Sequence, residues 1–137
     1  MATITYSNPV DRKQKSFSTI AAATTLTAAN SGTVYTLPAA TAGAAITLPA
    51  LKSGLNFKFI VAGAFATTNW TIVSSTNVIF GSAVVNSVIV PAASENTISF
   101  VASAETIGDF VSVECDGTNW YVSGLGTLSG SVTFTAA

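Results

Sequence analysis

The sequence predicts an all-β protein: a compact antiparallel sandwich or jelly-roll-like domain with an extended N-terminal arm. Three observations predict it. Short runs of β-branched and aromatic residues alternate with a period of two. Gly, Pro, Asn and Asp interrupt these runs at short intervals. No stretch shows the spacing of an amphipathic helix. A period of two sends alternate side chains to opposite faces of a strand. Many short strands divided by turn signals suit a sandwich, a jelly roll or a small barrel, and the pattern does not choose among them.

The elements follow in chain order. Residues 1–30 read as an arm or edge strand, and residues 31–137 as the sandwich domain. Met1–Val10 alternates weakly and Asp11–Ser18 is polar. Thr19–Asn30 is rich in Ala and Thr, with Ile20 and Leu26 as its large aliphatic side chains. Its Thr residues and the Asn30-Ser31-Gly32 triplet disfavour a long helix. Val34–Leu37 and Ala44–Leu48 read as strands closed by Pro38 and Pro49, since proline has no N–H for a ladder. Both end in Thr-Leu-Pro-Ala, a copy too short to define a solenoid. In Asn56–Val61, Phe57, Phe59 and Val61 share one face and Lys58 takes the other. Trp70 and Ile72 continue the alternation. Val78–Phe80 precedes Gly81, and Val84–Val90 reads as one β-branched run closed by Pro91. Ile98, Phe100 and Ala102 alternate with their neighbours.

The strongest unit is Phe110–Val122. Val111, Val113 and Cys115 fall on one face, Asp116-Gly117 signals a hairpin, and Trp120 and Val122 return on the same face. Ser131–Thr135 is a final short strand. Phe57, Phe59, Trp70 and Trp120 are therefore expected in the core, with Asp116 and Gly117 in the turn.

Composition narrows the function. The chain has 137 residues, enough for one domain. Charged residues make up only 8% and the formal net charge is −1. A surface with so little self-repulsion can pack against copies of itself without burying unpaired charge. Five Lys and Arg residues cannot neutralise much phosphate, so nucleic acid is not an expected partner. No apolar run is long enough to span a membrane, and Met1–Thr5 lacks the charge of a secretory leader. Arg12, Lys13 and Lys15 form the one basic cluster. They read as a solvated arm or as a contact to an acidic neighbour.

Catalytic constellations are absent. The chain has no histidine and one cysteine, Cys115, which removes the common triad base and any thiolate-rich metal site. Glu114 and Asp116 lie two apart on a strand, a spacing open to a carboxylate pair, and Asp109 could join them around a calcium ion. Asp116 equally fits the first position of a turn. No cofactor is expected. Trp120 alternates into the core, whereas Tyr121 is the outward member of that pair, and Tyr121 and Asn119 are the candidates for stacking on and hydrogen-bonding to a glycan.

Two stretches carry a resemblance. Val34-Tyr-Thr-Leu-Pro-Ala39, Ile46-Thr-Leu-Pro-Ala50 and Gly54-Leu-Asn-Phe-Lys-Phe-Ile60 form the first. Gly108-Asp-Phe-Val-Ser-Val-Glu-Cys-Asp-Gly-Thr-Asn-Trp-Tyr-Val-Ser-Gly124 forms the second. Together they resemble small β-structured virion proteins of tailed phages of marine and cyanobacterial hosts, as found in head-decoration and tail-fibre modules. The resemblance implies a symmetric module, expected as a homotrimer, on the outer surface of a capsid. It implies no catalysis, and the major capsid protein lattice as partner. A glycan-binding tail-fibre or lectin-like module and an integral head or neck protein are the alternatives. The chain lacks the shaft repeats of long fibres, and its size is nearer that of a decoration protein.

Overall fold

The computed structural model describes residues 15–137. Arg12 and Lys13 lie outside the described residues. Twelve strands carry the fold: β1 (Ser16–Thr19), β2 (Thr24–Thr25), β3 (Thr33–Leu37), β4 (Ala45–Thr47), β5 (Asn56–Val61), β6 (Trp70–Val73), β7 (Ile79–Val85), β8 (Val88–Glu95), β9 (Thr97–Phe100), β10 (Phe110–Cys115), β11 (Trp120–Gly126) and β12 (Val132–Thr135). Ala28–Asn30 adds one 3-10 turn.

The strands form two sheets, a seven-stranded one in the order β1-β3-β5-β10-β11-β7-β8 and a five-stranded one in the order β12-β9-β6-β4-β2. The all-β sandwich is as the sequence leads one to expect. Its sheets are mixed, however, and not purely antiparallel. β1, β3 and β5 pair in parallel in the large sheet, and β2, β4 and β6 pair in parallel in the small one. The chain therefore crosses between the sheets at every step from β1 to β6, as the coils of a solenoid do. Each Thr-Leu-Pro-Ala copy is a corner of this coil. Leu37 leaves the large sheet and Leu48 leaves the small one, both buried. The proline that follows each has no N–H to extend the ladder. Among the described residues, 16–25 supply the strand at one edge of each sheet, anchored by the buried Ile20 and Leu26.

The second half closes the sandwich with antiparallel pairs, except that β11 runs parallel to β7. β10 lies between β5 and β11, with Val113 opposite both Phe57 and Val122. Here the strict alternation of the sequence becomes a packed layer. Phe57, Phe59, Val111, Val113, Trp120 and Val122 all face inward and are buried. Tyr35 stacks on Phe59 at 5.8 Å between ring centroids, and Phe57 meets Trp120 at 6.0 Å. The small sheet answers with Trp70, opposite Phe100, and with the buried row Ile46–Ile72–Ile98.

Val84–Val90 departs from the single strand read in the sequence. The chain reverses at Asn86 and Ser87, whose φ values of 49° and 65° make the two-residue turn that matches strand twist. Pro91 does not end a strand. It sits within β8, at the sheet edge, where a missing N–H can be tolerated. A bulge follows, because the register shifts between Ile79 and Phe80, and Ser94 takes a positive φ of 72°.

A buried carboxylate fixes one end of the sandwich. Asp109 is 1% exposed and accepts hydrogen bonds from the Thr106 and Thr127 N–H groups and from the Thr127 hydroxyl, at 2.8–3.0 Å. It ties the β9–β10 loop to the β11–β12 loop. Beside it, Glu105 accepts from the Phe65 N–H at 2.9 Å and ties in the β5–β6 loop.

Two outcomes follow. Asp109→Ala leaves two N–H groups and a hydroxyl without their acceptor, and should cost about 3 kcal/mol in urea unfolding. Gly81 has φ +132°, and a Cβ there would run into the Val122 carbonyl of the adjacent strand. Gly81→Val should therefore yield unfolded or insoluble protein, whereas the neighbouring Ser82→Val should lower the urea midpoint little.

Candidate functional site

The concave features are poor places for chemistry. A hollow of about 170 Å³ lies on the large sheet, lined in part by Lys15, Asn56, Lys58, Ser112 and Glu114. An open depression of about 490 Å³ is lined by Ala44, Ala45, Thr67, Thr68, Asn69 and Thr71. The first is smaller than an ordinary ligand cleft. The second has no titratable side chain. Among the described residues, no three His, Cys, Asp or Glu side chains converge. Asp109 and Glu114 stand at opposite ends of β10, roughly 17 Å apart by strand rise, so the carboxylates considered for calcium do not meet.

The outer face of the large sheet is more informative. Strand pairing aligns its outward side chains in three rows. The first runs Ile60–Phe110–Leu125–Val84–Ile89 across five strands. The second runs Lys58–Ser112–Ser123–Ser82–Pro91, and the third Asn56–Glu114–Tyr121–Phe80–Ala93. The first row is apolar and open to water: Val84 is 40% exposed, Leu125 44% and Ile89 71%. Lys58 reaches over the Phe110 ring, with Nζ 4.4 Å from its centroid. That covers part of the aromatic face and keeps the ammonium near water. Lys58 and Glu114 are the only charged residues in the three rows.

Charge is also divided between the two ends of the sandwich. Strand directions place Lys15, Lys52, Glu114 and Asp116, all exposed, toward the end where β5 begins. The opposite end is built from the β5–β6, β7–β8, β9–β10 and β11–β12 loops. Its acidic groups, Glu105 and Asp109, are half-buried and buried and held by backbone donors. Val88, Ile107 and Leu128 project there, at 61%, 70% and 50% exposure.

The residues singled out in the sequence fall in separate places. Phe57, Phe59, Trp70 and Trp120 are buried. Gly117 has φ +98° within the four-residue β10–β11 loop, and Asp116 caps that loop through Oδ1, which accepts from the Thr118 and Asn119 N–H groups at 2.7 and 2.8 Å. Tyr121 is 46% exposed, but its hydroxyl donates to Asp116 Oδ2 at 2.9 Å. Asn119 is half-buried in the same turn. The pair considered for glycan contact is thus partly engaged in holding its own hairpin. Lys15 is exposed at the charged end. The sequence pattern does not single out Val84, Ile89 or Leu125. Val84 and Ile89 lie in a run of apolar residues, where nothing local distinguishes an outward side chain from an inward one, and Leu125 stands between Gly124 and Gly126, which break the alternation.

Asp116 gives a test of the hairpin. Hydrogen bonds from the Asn119 and Thr118 backbone and from the Tyr121 hydroxyl hold its carboxyl below the ordinary value of 3.8. A depressed carboxylate contributes stability above its unfolded-state value and loses it as pH falls through the folded-state one. Asp116→Asn should therefore lower the thermal midpoint at neutral pH, and the gap to the parent should narrow at a pH well below 3.8. Thermal melts at both pH values read this difference directly.

Comparison of the chain with protein-family models, with curated proteins and with solved structures returns no significant match.

Proposed function

We propose that this chain is a non-catalytic structural protein of a virus particle, and specifically a capsid decoration protein. It docks on the outer surface of the shell through the loop end that carries Val88, Ile107 and Leu128. The observation behind this reading is the division of charge between the two ends of the sandwich. A module standing on an uncharged protein surface needs an end that can lose water without stranding an ion, because burying an unpaired charge is costly. The loop end comes nearest to that need: Asp109 accepts three internal hydrogen bonds and Glu105 accepts one through Oε1, with Glu105 Oε2 left without a partner. The opposite end, with Lys15, Lys52, Glu114 and Asp116, would face solvent and keep the decorated surface hydrated. The phage-virion resemblance carried by 34–60 and 108–124 supports the same reading. The major capsid protein lattice is then the partner.

Loss of shell binding on charging the loop end is the expected outcome. Co-sedimentation with assembled capsid shells of the virus that carries the chain should retain the parent protein. The double variant Ile107→Lys, Leu128→Lys should remain folded by circular dichroism and stay in the supernatant. Equal binding of parent and variant would overturn the docking end. Equal binding of the parent to isolated capsid subunits would favour an integral head protein over a decoration protein, since a footprint spanning several subunits binds only the assembled lattice.

A further inference from the structure

The outer face of the large sheet is separate from the loop end, and its three rows complement one another. We propose that this face is the contact between two copies of the chain, packed sheet on sheet about a two-fold axis that runs across the strands along the row of Ser112, Ser123 and Ser82. Such an axis lays the first row of one copy on the third row of the other. Tyr121 then covers Leu125 of the second copy, Phe80 covers Val84, and the small Ala93 leaves room for the long side chain of Ile89. Serine meets serine in the middle, where hydroxyls can donate and accept in turn.

The charges select a second copy over a foreign surface. Glu114 lies in the same strand as Phe110, at the third-row position of β10, and Lys58 sits over the Phe110 ring. The two-fold axis therefore carries Glu114 of each copy to the Lys58 ammonium of the other. Both ions of the three rows, Lys58 and Glu114, find opposite charge, twice, with Lys15 at the rim beside Glu114. The aromatic and aliphatic rows lose water in the same step, and three of the aliphatic side chains are 40–71% exposed in the single chain. The footprint supports a real but modest interface. Five strands and three rows span roughly 20 by 15 Å between Cα atoms, about 600 Å² per copy with side chains, the lower end of stable interfaces. A pair differs from the homotrimer that the virion resemblance implies. It also stands whether or not the chain decorates a shell.

Sedimentation velocity of the full chain over a wide concentration range tests the pairing. The parent should move reversibly from 13.9 kDa to twice that mass. Leu125→Lys should remain monomeric throughout, with its fold intact by circular dichroism. Lys58→Glu and Glu114→Lys should each raise the dissociation constant about 30-fold or more, and the double exchange should restore most of the loss. The loop-end variant Ile107→Lys, Leu128→Lys should still form pairs, which separates this contact from shell docking. A parent that is monomeric at every concentration, or trimeric, would overturn the proposal. So would a double exchange no better than its singles, or loss of pairing in the loop-end variant.

Discussion

The small sheet carries mostly Thr and Ser on its outward positions and the large one an apolar row beside serines, and neither has many ions to hold it to water or to the other. What keeps them together is the dry layer between them. Tyr35, Phe57, Phe59 and Trp120 line one side of it, and Trp70, Phe100 and the Ile46–Ile72–Ile98 row line the other. Each large aromatic contributes a few kcal/mol by leaving water. The alternation that puts them there also decides what faces out, so one register error would exchange core and surface along a whole strand. Gly81 shows how closely the layer constrains the backbone. At its positive φ a Cβ would point into the Val122 carbonyl of β11, so no side chain fits there.

The parts of this fold that the sequence displays are those with one buried face and a local turn. Asn56–Val61 and Phe110–Val122 alternate strictly because one side meets the core and the other meets water. Their inward and outward faces can be told from residue spacing alone. The parallel coil of β1 to β6 is not visible in the same way. Its pairs join residues many positions apart, and parallel pairing has no hairpin to announce it. β1 and β2 are short and largely exposed, so the stretch from Thr19 to Asn30 looks like a loose arm although Ile20 and Leu26 hold it to the core. Val84–Val90 misleads for the opposite reason. Both of its faces are apolar, and the turn at Asn86 and Ser87 uses neither Gly nor Asp-Gly.

The interaction surface is less legible than the fold, and the cause is geometric. Its first row joins residues 60, 84, 89, 110 and 125, from five strands that are scattered along the chain. Only pairing brings them into line. Of Tyr121 and Asn119, Tyr121 is legible as an outward residue from alternation alone. Their engagement by Asp116 and its turn depends on a loop conformation that the Asp-Gly signal does not specify: Gly117 alone takes the positive φ, and the loop is longer than a two-residue turn.

A chain this poor in charge has little electrostatic protection against uncontrolled association, so its protection has to be structural. Free sheet edges are the usual danger, because their unpaired N–H and C=O groups can template another strand. At one edge of the large sheet, β8 carries Pro91 and the Ser94 bulge, which remove a donor and twist the strand out of line. At the other, β1 is four residues long and begins beside Lys15. At one edge of the small sheet, β2 has only two residues. Sideways growth is therefore discouraged at three edges by shape and by a single cation. The broad outer face of the large sheet carries no such device. It combines exposed aliphatic side chains with one acid and one base in its rows and Lys15 at its rim. The same economy of charge that makes edge protection necessary leaves the face free to pair, because nearly nothing on it must be stripped of water at high cost. In the proposed pair, association is thus directed to a face by closing the edges.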